Sequence, residues 1–286
     1  MKTLTRQAPA KLNLTLDVLG KREDGYHEMK MVMTSVTLAD TVTLASEPGE
    51  GIVLSSNLGF LPVDGKNLAV SAALRLKEET GADWGKLTIG LEKRVPVCAG
   101  MAGGSSDAAA VLVGLNELLG LGLTRERLME IGARVGSDVP YCVLGCTALA
   151  QGRGEVLTPL PALLHCWVVL AKPGFPVSTP ELFARIDTQK VRCRPDTGGV
   201  MAALEAGDLP GVARRLFNVF EAVLPERKAH QVEELKQELF RRGALGASMS
   251  GTGPTVFGLF DAEAPAREAA EGLKDMCRDV FVTETL

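Results

Sequence analysis

The chain has 286 residues, 46% of them hydrophobic and 23% charged, and its 31 basic residues against 35 acidic ones leave a formal net charge of −4. That length and apolar content can bury a core sufficient for two ordinary domains, which argues against disorder. The charges form no long single-sign run, so duplex nucleic acid and anionic membranes are disfavoured as partners and a small molecule or another protein is favoured. No uncharged apolar run approaches the roughly 18 residues of a membrane helix and the N-terminus lacks a continuous apolar stretch, so the expectation is a cytoplasmic protein.

Taken in chain order, the first element runs through Leu12–Val18, where apolar residues alternate with Asn13, Thr15 and Asp17. This is strand spacing, and it places Lys11 and Asn13 on one polar face. "TSVTLADTVTLAS" and "GIVLSS" continue the β character. Asn67 is placed to cap a helix through "LAVSAALRLKEET" that ends at Gly81. "KLTIGLEKRVPV" predicts another strand, and the chain then enters the glycine-rich stretch "VCAGMAGGSSDAAA". Beyond it Ala108, Val111, Leu112, Leu115, Leu118 and Leu119 recur at helical spacing up to Gly120. A second helix starts near Thr124, buries Leu128, Ile131 and Val135, and ends at Gly136. "RGEVLTPLPALL" reads as a turn-rich domain junction. Strand "CWVVLAKPG" follows, then helices after Thr179 and around Leu209–Leu224, and one from about Ala229 to Arg242. Strand "GASMS", turn "GTG", strand "PTVFGLF", helix "APAREAAEGLKDM" and strand "DVFVTET" complete the chain. This mixture indicates an α+β fold with antiparallel pairing. The six cysteines (98, 142, 146, 166, 193, 277) form no CxxC pair and only three histidines accompany them, which favours buried reduced thiols over a disulfide frame or zinc site.

Three sites carry candidate chemistry. A glycine-rich loop opening a helix leaves amides unpaired, adds about half a positive charge from the helix dipole, and lets phosphate oxygens approach bare backbone. The same residues also suit a tight strand-to-helix turn with Ser105 or Ser106 as N-cap. The loop lacks the lysine of a Walker A motif and the spacing of a dinucleotide fingerprint. Asp138, in "GSDVP", suits either a turn or short-helix N-cap, or a carboxylate that positions or deprotonates an attacking hydroxyl. Lys11 is either a surface lysine or a cation that stabilises that carboxylate and a transferring phosphoryl group. "DGYHE" offers Tyr26 and His27 as packing residues or as a nucleobase pocket. "SMSGTGPT" is a second glycine-rich turn, on its own most simply a hairpin.

In this order, "APAKLNLTLDVLGKREDGYHEM", "PVCAGMAGGSSDAAA", "GSDVPYCVLG", "KPGFPVSTPELF" and "GASMSGTGPTVFGLF" resemble the GHMP kinase superfamily, which includes galactokinase, homoserine kinase, mevalonate kinase and phosphomevalonate kinase. The segments extend from residue 8 to residue 260. "DGYH" after "AKLNL" is the most diagnostic feature, and it resembles the branch whose substrate is a cytidine diphosphate of methylerythritol, in the non-mevalonate isoprenoid route. The resemblance implies a two-domain α+β GHMP kinase fold. Residues 1–158 would form a ribosomal S5 domain 2-like ATP-binding domain and residues 159–286 a ferredoxin-like domain, with the substrate in the cleft between them. It implies ATP as phosphoryl donor to the C2 hydroxyl of that small molecule, with Mg2+ bridging the phosphates because the loop offers amide dipoles but few full charges. Pro96, Val97, Cys98, Ala99, Gly100, Met101, Ala102, Gly103, Gly104, Ser105 and Ser106 would bind the nucleotide. Lys11 and Asp138 would be catalytic, with Asp138 also contacting substrate. Tyr26 and Phe183 would sandwich the cytosine, His27 would read its edge, and Asn13 would face the same cleft. The chain departs from the fuller glycine run "GLGGGSS" at Ala102, where a positive φ would cost on the order of 1 kcal/mol. Cys98 likewise stands where a smaller residue is common.

Overall fold

The computed structural model describes residues 2–286. They divide into two compact units, neither a single stretch of chain. One comprises Met1–Ala10, Leu38–Val97 and Ala102–Gly145; the other comprises Lys11–Thr37, Cys98–Met101 and Cys146–Leu286.

The first unit takes the start of β1 (Lys2–Lys21) and the end of β2 (His27–Glu47), then β3 (Ile52–Ser56), α1 (Leu68–Thr80), β4 (Lys86–Glu92), α2 (Gly103–Leu119), α3 (Arg125–Ala133) and α4 (Val139–Leu144). β3 pairs in parallel with β4, and β4 pairs antiparallel with β2, Thr41 standing opposite Glu92. The alternation of β4 turns Leu87, Ile89 and Leu91 to one face, where they meet Leu76 of α1, Leu112 and Leu115 of α2 and Ile131 of α3 in a single core. α1 has the predicted bounds because both caps form. Asn67 accepts the N–H of Ala69, and Gly81 adopts the left-handed backbone (φ 68°) that closes the helix.

The second unit contains the rest of β1 and β2, followed by β5 (Ala148–Gly152) and β6 (Val156–Pro159). After β7 (Trp167–Lys172) come α5 (Thr179–Thr188), α6 (Thr197–Glu205), α7 (Leu209–Ala213), β8 (Phe217–Asn218) and α8 (Glu226–Arg241). β9 (Gly246–Met249), β10 (Val256–Phe260), α9 (Glu263–Leu273) and β11 (Asp279–Glu284) close the chain. The C-terminal sheet has the order β11-β7-β10-β9 with every pair antiparallel, and α8 and α9 pack on it. That order, fourth-first-third-second, is the ferredoxin-like arrangement the family resemblance implies.

One expectation is corrected and two are sharpened. Within the turn-rich stretch read as a domain junction, residues 156–159 pair antiparallel with β5 as a hairpin. The helix expected around Leu209–Leu224 is interrupted. Phe217 and Asn218 pair in parallel with Thr15 and Leu16 of β1. The Asn218 side chain donates to the carbonyls of Met249 and Gly251 and accepts the N–H of Phe220, so a 3-10 turn restarts after it. The polar face of β1 is not a solvent face: Lys11, Asn13, Thr15 and Asp17 are all buried. Each has an internal partner: for example, Thr15 accepts the N–H of Val32 and Asp17 accepts Arg194. Among the described residues no helix is long and apolar enough to cross a membrane. Cys166 and Cys277 are buried as expected, whereas Cys98 and Cys193 are exposed.

Candidate active site

In the first unit the glycine-rich loop ends where α2 begins. Ala102 is the N-cap residue, with φ 54° and ψ 29°, and no side chain caps the helix. Ser106 N–H reaches back to the Ala102 carbonyl, and its hydroxyl is spent on the carbonyl of Pro9 at 2.7 Å. The amides of Gly103, Gly104 and Ser105 therefore lack helical acceptors, at the positive end of a 17-residue helix. Of the two serines weighed as N-caps, neither performs that task.

Asp138 precedes α4 as its N-cap residue, and Pro140 starts the helix. Its backbone carbonyl accepts Cys142 N–H, but its carboxylate makes no capping bond. Among the described residues no ion pair or hydrogen bond engages that half-buried carboxylate, which leaves it available to a ligand. The segment leading to it runs beside the start of α2: a Cβ on Gly136 would stand 4.0 Å from Ser105 Oγ. Sequence distance hid this; 32 residues separate Ser106 and Asp138, and the packing of α4 on α2 brings their neighbourhoods together.

Below the loop lies a charged cluster that the motifs did not reveal. Lys93 bonds both Asp40 and Asp107, and all three side chains are almost entirely buried. Burial pushes the Asp107 carboxyl up to about 7, against the opposing pull of the Lys93 ammonium. A charged residue inside the apolar alternation of β2, in "TLADTV", was the available signal for Asp40.

In the second unit, the buried Lys11 ammonium donates to Asn13 Oδ1 at 2.7 Å and to the Gly100 carbonyl at 3.2 Å. A third N–H remains for a ligand. Asn13 Oδ1 also accepts the N–H of Gly251 at 2.9 Å, and Ser250 donates to the Gly100 carbonyl at 3.0 Å. The second glycine turn, which joins β9 and β10 as a hairpin, thus also contacts the Lys11–Asn13–Gly100 group. Gly100 itself must be glycine: its φ is 76°, and a Cβ there would run into the Ser250 carbonyl.

The aromatic residues of this unit are brought together in part. His27 stacks on Phe183, with centroids 4.5 Å apart and 26° between planes, and Phe183 meets Phe220 edge-on at 5.1 Å. His27 Nε2 lies 2.8 Å from Asp187 Oδ1. Tyr26 is half exposed, and the guanidinium of Arg153 sits over its ring at 4.8 Å. Arg153 and Asp187 went unremarked in the sequence because their positions depend on the β5–β6 hairpin and on α5.

An uncapped helix start behind a glycine loop, with an unengaged aspartate beside it, suits the transfer of a phosphoryl group to a small molecule, and the likeness to known proteins defines the class. Residues 67–146 match the model of the GHMP kinases N terminal domain, and residues 200–279 match the GHMP kinases C terminal model. The chain is similar, at 46% identity over 99% of its length and 97% of the relative's, to 4-diphosphocytidyl-2-C-methyl-D-erythritol kinase of Geobacillus kaustophilus (strain HTA426). It is 42% identical, over 100% of this chain and 97% of the relative, to the kinase of the same name from Alkaliphilus metalliredigens (strain QYMF). A crystal structure of 4-(cytidine 5'-diphospho)-2C-methyl-D-erythritol kinase superposes with a TM-score of 0.83 at 33% identity, covering 99% of both chains. Homoserine kinase from Cytophaga hutchinsonii (TM-score 0.78, 21% identity, 99% and 95% covered) shares the fold. The chain belongs to the 4-diphosphocytidyl-2-C-methyl-D-erythritol kinase family of the GHMP kinases.

Proposed function

We propose that this chain transfers the γ-phosphoryl group of ATP to the C2 hydroxyl of 4-diphosphocytidyl-2-C-methyl-D-erythritol, giving the 2-phosphate and ADP. The observation that carries the reading is the start of α2, where unpaired amides of Gly103, Gly104 and Ser105 open behind a glycine loop. This is an arrangement suited to polyphosphate. Whole-length kinship to kinases named for that acceptor supplies the alcohol.

Residues Pro96–Ser106 hold the nucleotide phosphates in this reading. Magnesium enters in this reading as the counterion of the nucleotide, because the loop offers amide dipoles but few full charges against a polyanion. The acceptor is a tertiary alcohol and a poor nucleophile, so the unengaged carboxylate of Asp138 orients the hydroxyl and takes its proton as the oxygen attacks. In this reading the third N–H of Lys11 serves the charge that builds on the reacting oxygens, with the ammonium held by Asn13. Tyr26 and Phe183 supply aromatic faces for the cytosine, and His27 supplies a polar edge.

The test is a coupled ADP-release assay with Mg-ATP that offers the cytidylylated methylerythritol beside homoserine, mevalonate and galactose. Turnover with the cytidylylated alcohol alone is the expected result. Turnover with another alcohol would keep the phosphate loop and overturn the acceptor assignment.

A further inference from the structure

Asp40, on β2, reaches both ends of the phosphate loop. Its Oδ1 accepts the N–H groups of Arg94 and Val95, at 2.6 and 2.8 Å, where the chain leaves β4. Its Oδ2 takes the Lys93 ammonium, and a Cβ on Gly103, the first residue of α2, would stand 3.5 Å from that same oxygen. Lys93 in turn bonds Asp107, four residues into α2 and about 6 Å along its axis from Gly103. Two carboxylates thus share one ammonium out of water, with side-chain exposures of 0% for Asp40 and 4% for both Lys93 and Asp107. With both carboxylates ionised the cluster carries a net charge of −1 under the end of the helix that receives a polyanion. One added proton makes it neutral.

We infer that the Asp40–Lys93–Asp107 cluster positions the phosphate loop and couples nucleotide binding to the uptake of a proton by Asp107. The inference rests on the phosphate-loop reading of residues 96–106. Asp107 is the proton acceptor because Asp40 receives three hydrogen bonds that favour its charged form, whereas Asp107 receives one and its Oδ1 has no partner among the described residues. Burial already holds Asp107 near 7. The charged groups that face it are Lys93, from the segment after β4, and Asp40, from β2. The helices packed on α2 present apolar residues to the shared core: Ala72 and Leu76 from α1, Leu128 and Ile131 from α3, Val139 and Val143 from α4. A polyphosphate at the helix start makes the ionised Asp107 more costly, and by reciprocity an ionised Asp107 weakens the nucleotide's hold.

The experiment is calorimetric titration of Mg-ATP into the wild-type chain and Asp107→Asn at pH 6 and pH 8.5. The terminal phosphate of the nucleotide titrates in the same range, so the readout is the difference between the two proteins at each pH. Equal affinity at pH 6 and about tenfold tighter binding by the variant at pH 8.5 are expected. Parallel profiles, or a variant weaker at both pH values as a packing role alone would make it, would overturn the inference and leave the phosphate loop standing. Failure of the wild type to bind Mg-ATP at either pH would overturn the loop reading and the inference with it. Should Asp107→Asn not fold, carbon-13 labelling of the aspartates in the wild type reads the same coupling. The Asp107 titration is expected to move upward when Mg-ADP is added, and an unmoved titration would overturn the inference.

Discussion

Ala102 holds φ 54° at the N-cap of α2, and Cys98, earlier in the same loop, holds φ 53°. A left-handed backbone costs an L-residue other than glycine about 1–2 kcal/mol, and part of any relief on changing to glycine is offset by the freer unfolded chain. Ala102→Gly should therefore stabilise the protein by up to about 1 kcal/mol in urea denaturation, and an unchanged or lower midpoint would show that the loop carries no such strain. At Asp138 the expectation is kinetic. Asp138→Asn keeps the N-cap backbone and the shape of the side chain, and it should lower kcat about 10²–10⁴-fold with little change in the KM for ATP. A variant retaining more than about a tenth of the activity would remove the carboxylate from the proposed role. Asp107 adds a stability term whose sign follows from its raised folded pKa of about 7 against an unfolded value of about 4. Below the lower value both states hold the proton. Between the two only the folded state does, so this contribution declines as pH rises from about 4 to about 7 and is lost above. In denaturant titrations across that window, Asp107→Asn should show a shallower decline than the wild type.

At the scale of elements, the base-recognition residues lie on separate pieces: Tyr26 in the β1–β2 turn, His27 at the start of β2, Phe183 on α5. Tyr26→Ala and Phe183→Ala are each expected to weaken binding of the cytidylylated substrate by about 1–3 kcal/mol while leaving ATP affinity nearly unchanged. Equal losses for both ligands in calorimetry would count against the aromatic assignment. Removal of Phe183 also strips the His27 ring of its stacking partner, so its loss should exceed that of a single ring face. Elements with local signals were legible in the sequence. α1 follows from Asn67 and Gly81, and α3 from Thr124, whose hydroxyl accepts Arg127 N–H. β6 and the break at Phe217 were not, because each forms by pairing with a strand distant in sequence and carries no cap or period of its own. The polar half of β1 left its surroundings open for a related reason. Alternation looks the same whether the polar face meets water or a buried network, and the Arg194 that meets Asp17 lies 177 residues away.

At the scale of the whole molecule, element order indicated α+β packing with antiparallel pairing, the family resemblance implied the ferredoxin-like domain, and residue spacing foresaw the strand-loop-helix passage at residues 86–119. The charged floor beneath the loop was not, since Asp40, Lys93 and Asp107 belong to no glycine motif. Thiol chemistry gives a global check on the packing. Burial raises the Cys166 and Cys277 thiols to about 12 and about 11, so both should resist alkylation in the native state. Exposed Cys98 and Cys193 should react first, and early modification of Cys166 or Cys277 would contradict the burial described. The two compact units change hands along the chain at 10/11, 37/38, 97/98, 101/102 and 145/146. Gene truncation, shuffling and fusion all act on continuous sequence, and no single cut of this sequence coincides with a complete compact body. A fragment that starts after Gly145 leaves behind the strand segments its own unit takes from residues 11–37, so trimming from either end of the chain removes part of both units before it frees one.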